Sequence, residues 1–185
     1  MIDELLQDAR EHMDKSVEAT RSKFQSIRTG RASPALLDRI NVDYYGTSTP
    51  LRQLATISAP EPRMLTVQPY DKSSIKAIER AIMESDLGLT PNNDGQIIRL
   101  VLPELTEERR KQLVKVVRGL TEEGKVALRN IRRDVMHDLK ELRDEGEAGA
   151  DDEHRAEEAL QKLTDEKVKE LDALLKGKEA EILEV

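Results

Sequence analysis

A chain of 185 residues with 30 Lys and Arg, 37 Asp and Glu and no Cys is long enough to bury a core in one domain or two small ones, and its lack of cysteine excludes a disulfide framework, thiolate redox chemistry and a Cys-based zinc site. No run of about 18 apolar residues occurs, so no membrane span is expected. With 36% charged and 2% aromatic residues and a net charge of -7, the composition suits long helices with narrow apolar seams; the start MIDELLQDAR is too charged for a secretory signal, which makes a cytoplasmic protein the expectation.

From Ile2 to Arg28, the residues Leu6, Ala9, Met13, Val17, Thr20, Phe24 and Ile27 recur at steps of three or four, the spacing of one face of a helix. Gly30 is the expected C′ stop of this helix. Ser33 before Pro34 predicts a capped short turn carrying Leu36 and Leu37. Between Ile40 and Leu102 the spacing changes to two. Ile40, Val42 and Tyr44 alternate with polar positions, and Leu54 to Ala59, Met64 to Tyr70 and Ile97 to Leu102 are further strand candidates. Adjacent in the first of these strands, Tyr44 and Tyr45 should point to opposite faces, one packing inward. Gly46, Pro50, Pro60, Pro62 and Asn92-Asn93-Asp94-Gly95 mark turns. One helix, from about Ser73 to Asp86, places Ile75, Ile78 and Ile82 on one side. The region reads as a small α/β domain.

From Leu105 to Gly146, the apolar residues Leu113, Val116, Leu120, Gly124, Ala127, Ile131, Val135, Leu139 and Leu142 predict one helix of about 40 residues, about 60 Å long. Thr106 is its expected N-cap, Glu107 and Glu108 suit its first turn, and Gly146 is its stop. On a wheel at about 100° per residue, Lys111, Lys115, Arg118, Lys125, Arg129, Arg132, Lys140 and Arg143 fall within an arc of about 100°, roughly opposite the apolar stripe. A last helix is expected from Asp151 to Glu184, with Leu160, Leu163, Val168, Leu171, Leu175 and Ile182 inward and an acidic outer surface. Three such helices bury their stripes by forming an antiparallel bundle. The expected division is residues 1–29 and 105–185 for the bundle and 30–104 for an inserted β/α/β domain. Hinges are then expected near 29–34 and 102–106 (Thr29, Gly30, Arg31, Pro34, Pro103, Glu104), with a jointed lobe at one end of a rod.

Charge sorted by helix, with several Arg on one face, favours an RNA backbone on that side. A merely solvated face would carry the same cations, paired at i,i+4 with Glu122 or Asp138. Of the two glycines inside the long helix, Gly124 lies on the seam and admits a close neighbour; the pattern leaves Gly119 unexplained. His12, His137 and His154 have no metal-ligand spacing, and neither GxxxxGK[ST] nor GxGxxG occurs. No catalytic constellation is present, so a nucleotide-driven process would need a partner to hydrolyse the nucleotide. The competing reading is a helical adaptor that binds a protein through its long faces.

Thr29-Gly30-Arg31-Ala32-Ser33-Pro34, Tyr44-Tyr45-Gly46-Thr47, Thr49-Pro50-Leu51-Arg52-Gln53-Leu54, Asp86-Leu87-Gly88-Leu89, Leu105-Thr106-Glu107-Glu108-Arg109-Arg110-Lys111, Val117-Arg118-Gly119 and Arg129-Asn130-Ile131-Arg132-Arg133 resemble, in order, the hallmarks of the bacterial ribosome recycling factor family. The resemblance implies an α+β, L-shaped protein of tRNA-like dimensions, an elongated three-helix bundle with an inserted β/α/β sandwich. It implies a monomer that binds the ribosome after peptide release and, with elongation factor G and its GTP hydrolysis, splits it into subunits. It further implies that Arg110, Arg129 and Arg132 bind rRNA of the large subunit, with Lys111, Arg118, Lys125 and Arg133 on the same basic face, and that Thr29 to Pro34 is a hinge. No cofactor, metal, DNA or membrane is implied.

Overall fold

The computed structural model describes residues 1–184; Val185, the last residue of the expected bundle segment, lies outside them. Two compact units are present, Met1–Phe24 with Val114 onward and Gln25–Leu113.

The helical unit is built from α1 (Ile2–Gln25), most of α4 (Glu107–Asp144) and α5 (Ala150–Leu183). Ion pairs show that α4 and α5 are antiparallel: Arg118 meets Glu179 at 2.7 Å, Lys125 meets Asp172 at 2.7 Å and Arg143 meets Glu153 at 3.0 Å. The core joins Ala9, Met13 and Val17 to Leu128, Val135 and Leu139 and to Ala156, Leu160, Leu163 and Leu171. Both ends of α4 are capped as their residues predict. The Thr106 hydroxyl accepts from the Arg109 amide at 3.1 Å. After α4 Gly146 takes φ +76°, and its amide donates to Arg143 and that of Glu147 to Leu142 at 3.0 and 2.9 Å, satisfying carbonyls that the last turn leaves open.

Two expectations about the helices are corrected. The long helix buries Leu113, Val117, Thr121, Gly124, Leu128, Val135 and Leu139, whereas Val116 is 48% exposed. Thr121 is tolerated inside because its hydroxyl donates to the Val117 carbonyl at 2.9 Å, so the seam runs through a threonine that an apolar count passes over. At the first helix, the chain leaves helical geometry after Gln25, several residues before Gly30. Gly30, at φ +85°, serves a bend instead of a C′ position; a Cβ there would sit 3.5 Å from Leu105.

The second unit holds a hairpin of β1 (Asn41–Tyr44) and β2 (Thr47–Pro50), then α2 (Leu51–Leu54), β3 (Ala55–Glu61), β4 (Met64–Pro69), α3 (Ile75–Met83), β5 (Pro91–Asn93) and β6 (Ile98–Val101). The larger sheet is antiparallel in the order β3-β4-β6-β5. Its apolar face and α3 enclose Leu65, Val67, Ile78, Ile82, Ile98 and Leu100. As its sequence predicts, Ser33 caps the turn Pro34–Leu37, accepting from the Ala35 amide at 3.3 Å. Strands β2 and β5 escape a search for alternating apolar residues, because Thr47–Pro50 and Pro91–Asn93 are edge strands of polar residues and proline, and an edge tolerates the missing N–H. Tyr45 is not in the strand. It opens the hairpin's two-residue turn with φ +49° and is 79% exposed, followed by Gly46 at φ +79°. Tyr44 packs on the core and donates to Asp71 at 2.9 Å.

Within this unit the segments flagged as hinges lie side by side. The Ala32 amide donates to the Pro62 carbonyl at 2.6 Å, and the Leu102 amide to Arg63 at 2.8 Å. The Arg63 guanidinium reaches the Leu102 carbonyl at 3.1 Å and the Glu104 carboxylate at 3.0 Å. Thr29 is buried; Arg31, Pro34 and Pro103 are exposed.

Candidate nucleic-acid interface

The cations of α4 do not form a single free face opposite its seam. With the buried stripe centred on Val117, Thr121 and Leu128, the basic arc flanks it, and α5 takes up the nearer edge. Arg118, Lys125 and Arg132 recur every seven residues, so they return to the same flank after two turns. There Arg118 pairs with Glu179 and Lys125 with Asp172 and, at 3.7 Å, Glu122. Arg132 donates to Gln161 at 2.7 Å, whose amide in turn donates to Asp165 at 2.9 Å. The Lys125 ammonium is held above the ordinary lysine range, chiefly by its hydrogen bond to Asp172.

The farther edge is different. Lys115, Arg129, Arg133 and Lys140 are exposed, and among the described residues none has a carboxylate partner. Lys111 is exposed and shared with Glu107, 3.4 Å away. Arg110, in the first turn of α4, is half-buried, and its Nε has no hydrogen-bond partner; the Nε of Arg132 is in the same condition. A buried N–H without a partner costs about 1–3 kcal/mol, so neither guanidinium is fully satisfied where it lies. Of the residues singled out from sequence, Arg129 and Arg133 thus stand outward together, Arg118, Lys125 and Arg132 line the α5 flank, and Arg110 and Lys111 occupy the first turns of the helix.

Two exposed valines accompany the outward row, Val116 at 48% and Val126 at 49%. The two glycines of α4 have opposite surroundings: a Cβ on Gly124 would lie 2.7 Å from Thr20 Oγ1 and 3.1 Å from Leu171, whereas one on Gly119 would meet nothing within 4 Å. Glycine inside a helix is about 1 kcal/mol less favourable than alanine; packing accounts for it at Gly124 only.

Other chemistry is scarce. His137 and His154 each lie beside the glutamate one turn on, at 3.1 and 3.2 Å, and among the described residues no group of three or more His, Cys, Asp or Glu is placed to hold a metal. An open groove of about 1110 Å³ in the second unit is lined by both signs, Arg39, Lys76 and Arg80 with Asp43, Glu84 and Asp86. No helix among the described residues is long and apolar enough to cross a membrane.

Fold and surface together define an α+β protein made of a long-helix bundle and a small antiparallel-sheet unit, with an outward cationic row on one helix that has no carboxylate partners among the described residues. The chain belongs to the ribosome recycling factor family, whose model matches residues 20–183. It is 59% identical over 180 residues to the ribosome-recycling factor of Rubrobacter xylanophilus, covering 97% of each chain, and 52% identical over 185 residues to that of Carboxydothermus hydrogenoformans, covering 100% of each. A solution structure of the ribosome recycling factor aligns with a TM-score of 0.80 at 42% identity, over 100% of this chain and 98% of that one. Models for the T. thermophilus ribosome recycling factor and the E. coli elongation factor G bound to the E. coli post-termination complex align with a TM-score of 0.70, at 49% identity and 99% coverage of both chains.

Proposed function

We propose that this protein recycles ribosomes by binding the large subunit through rRNA and, with elongation factor G and GTP, splitting the post-termination ribosome into subunits. The single observation that carries the binding reading is the row of outward cations on α4, Arg129 and Arg133 with Lys115 and Lys140, which have no carboxylate partners among the described residues. Arg is suited to the work because its planar fork matches phosphate. Arg110 and Arg132 join the row in a second way. Their unsatisfied Nε groups lower the cost of swinging out to a phosphate, which then supplies the missing acceptor. Lys111, Arg118 and Lys125 add positive charge but leave carboxylates to do so.

In this reading residues 1–29 and 105–185 form the anchoring domain and 30–104 the domain that elongation factor G pushes, with Thr29, Gly30, Arg31, Pro34, Pro103 and Glu104 at the joint. The models of the T. thermophilus factor with elongation factor G on the post-termination complex support the partner. In this reading the chain needs no chemistry of its own: purified protein should hydrolyse no GTP, and the GTPase is the partner.

The test is association with large ribosomal subunits at two salt concentrations. Arg129→Ala and Arg133→Ala should each weaken binding and lower the salt slope by about one. Arg132→Ala should remove a charge-assisted contact worth about 1.5–3 kcal/mol. Unchanged affinity in all three variants would overturn the assigned face.

A further inference from the structure

Among the described residues, nothing packs where a side chain at Gly119 would lie. The glycine is exposed, it lies mid-helix, and a Cβ there meets nothing within 4 Å, yet alanine at such a position favours the helix. On the helix surface it is flanked one turn before by Lys115 and Val116 and one turn after by Glu122, 3.7 Å from Lys125, and Glu123, 4.0 Å from Lys23. Val126 and Arg133 follow it at intervals of seven, so all three point the same way. Val116 and Val126, each about half exposed, bracket it along the helix. Lys115 lies one turn before Gly119, and Arg129 and Arg133 lie about 15 and 21 Å further along α4; none of the three has a carboxylate partner among the described residues.

We infer that Gly119 is the point of closest approach of an RNA sugar–phosphate backbone to α4, and that the missing side chain is what lets the strand reach the helix. The inference rests on the proposal that the outward row binds rRNA. A Cβ holds a partner's atoms one van der Waals contact farther from the helix axis, whereas a bare glycine admits a ribose or phosphate against the backbone. Val116 and Val126 offer apolar contact of the kind a ribose presents, and the three cations neutralise an extended polyanion along the same strip. A protein partner with acidic side chains is the competing occupant.

Gly177 provides the control, because it is exposed in α5 with nothing within 4 Å of its Cβ position but carries none of the outward row. Gly119→Ala and Gly177→Ala should both raise the melting temperature, each by about 2–4 °C. Only Gly119→Ala should weaken binding to large ribosomal subunits, by about tenfold at fixed salt, with the salt slope unchanged because no charge is removed. As the chain has no cysteine, a Glu123→Cys variant carrying an iron chelate one turn from Gly119 gives a single source of hydroxyl radicals, which should cleave rRNA strands in the bound subunit. If Gly119→Ala binds as tightly as the parent while Arg129→Ala binds weakly, the inference falls and the assigned face stands; if neither weakens, both fall. Cleavage confined to ribosomal protein would also overturn the RNA backbone as the occupant.

Discussion

The Lys125 ammonium lies 2.7 Å from the Asp172 carboxylate, across the seam between α4 and α5. Lys125 is only 17% exposed, whereas Asp172 is 52% exposed, so solvent screens much of the attraction and the pair contributes about 0.5–1 kcal/mol. Folding raises the lysine pKa above its ordinary 10.5, chiefly through this hydrogen bond. The contribution is therefore complete below that pH and disappears as pH rises through the folded value. Asp172→Asn should flatten the alkaline fall in melting temperature relative to the parent, and identical profiles would show that the pair adds nothing.

Lys167 is a buried cation, held at 2.6 Å by Asp14 of α1 and at 3.2 Å by Glu170. Removing the acid leaves that charge under-compensated in the seam, while removing the lysine leaves Asp14 facing water. Asp14→Ala should cost about 1–3 kcal/mol, and Lys167→Met clearly less, since an unbranched apolar chain fills the same space. Urea denaturation of both variants decides it; the reverse order would mean that the lysine stem, not its charge, matters.

At Gly124 three helices converge. A methyl group there must displace Thr20 Oγ1, 2.7 Å away, and press on Leu171 at 3.1 Å. Gly124→Ala should destabilise the helical unit by about 1–3 kcal/mol despite the better helix propensity of alanine. Adding Thr20→Ala removes the nearer clash, so the double variant should recover part of the loss. A single substitution that stabilises the protein would mean the seam opens freely.

Asp94 organises the turn between β5 and β6. Its carboxylate accepts from the Ile97 and Gln96 amides, each at 2.9 Å, and pairs with Arg99 at 3.0 Å. Those bonds, the Ile97 amide first, hold its pKa at about 2 against an ordinary 3.8. With the folded value depressed, the turn gains from the charged form above 3.8 and loses that gain as pH falls through about 2. Carboxyl-carbon NMR should give a midpoint near 2; a midpoint near that of a free carboxylate would break the assignment.

The partners of the α4 flank were within reach of the sequence. Asp165, Asp172 and Glu179 recur every seven residues on α5, in the antiparallel register of Arg132, Lys125 and Arg118. Each series read alone looks like a solvated face; only together do they form a ladder, in which Gln161 bridges the last step. Lys167 was hidden for a different reason: a lysine among leucines is ordinarily the edge of a stripe, and it becomes core only because Asp14 arrives from another helix.

The three long helices, α3 and its core face, strands β1, β3, β4 and β6, the caps at Ser33, Thr106 and Gly146 and the family were legible in the sequence alone, because they depend on neighbours a few residues away or on motifs in fixed order. Which edge of the α4 cations is consumed by α5 and which stands outward was decided only by the tertiary structure. A period of 3.6 residues places side chains around an axis but does not say which neighbour waits on either side. That neighbour separates Arg118, bound to Glu179, from Arg129 and Arg133, exposed with no carboxylate partner among the described residues.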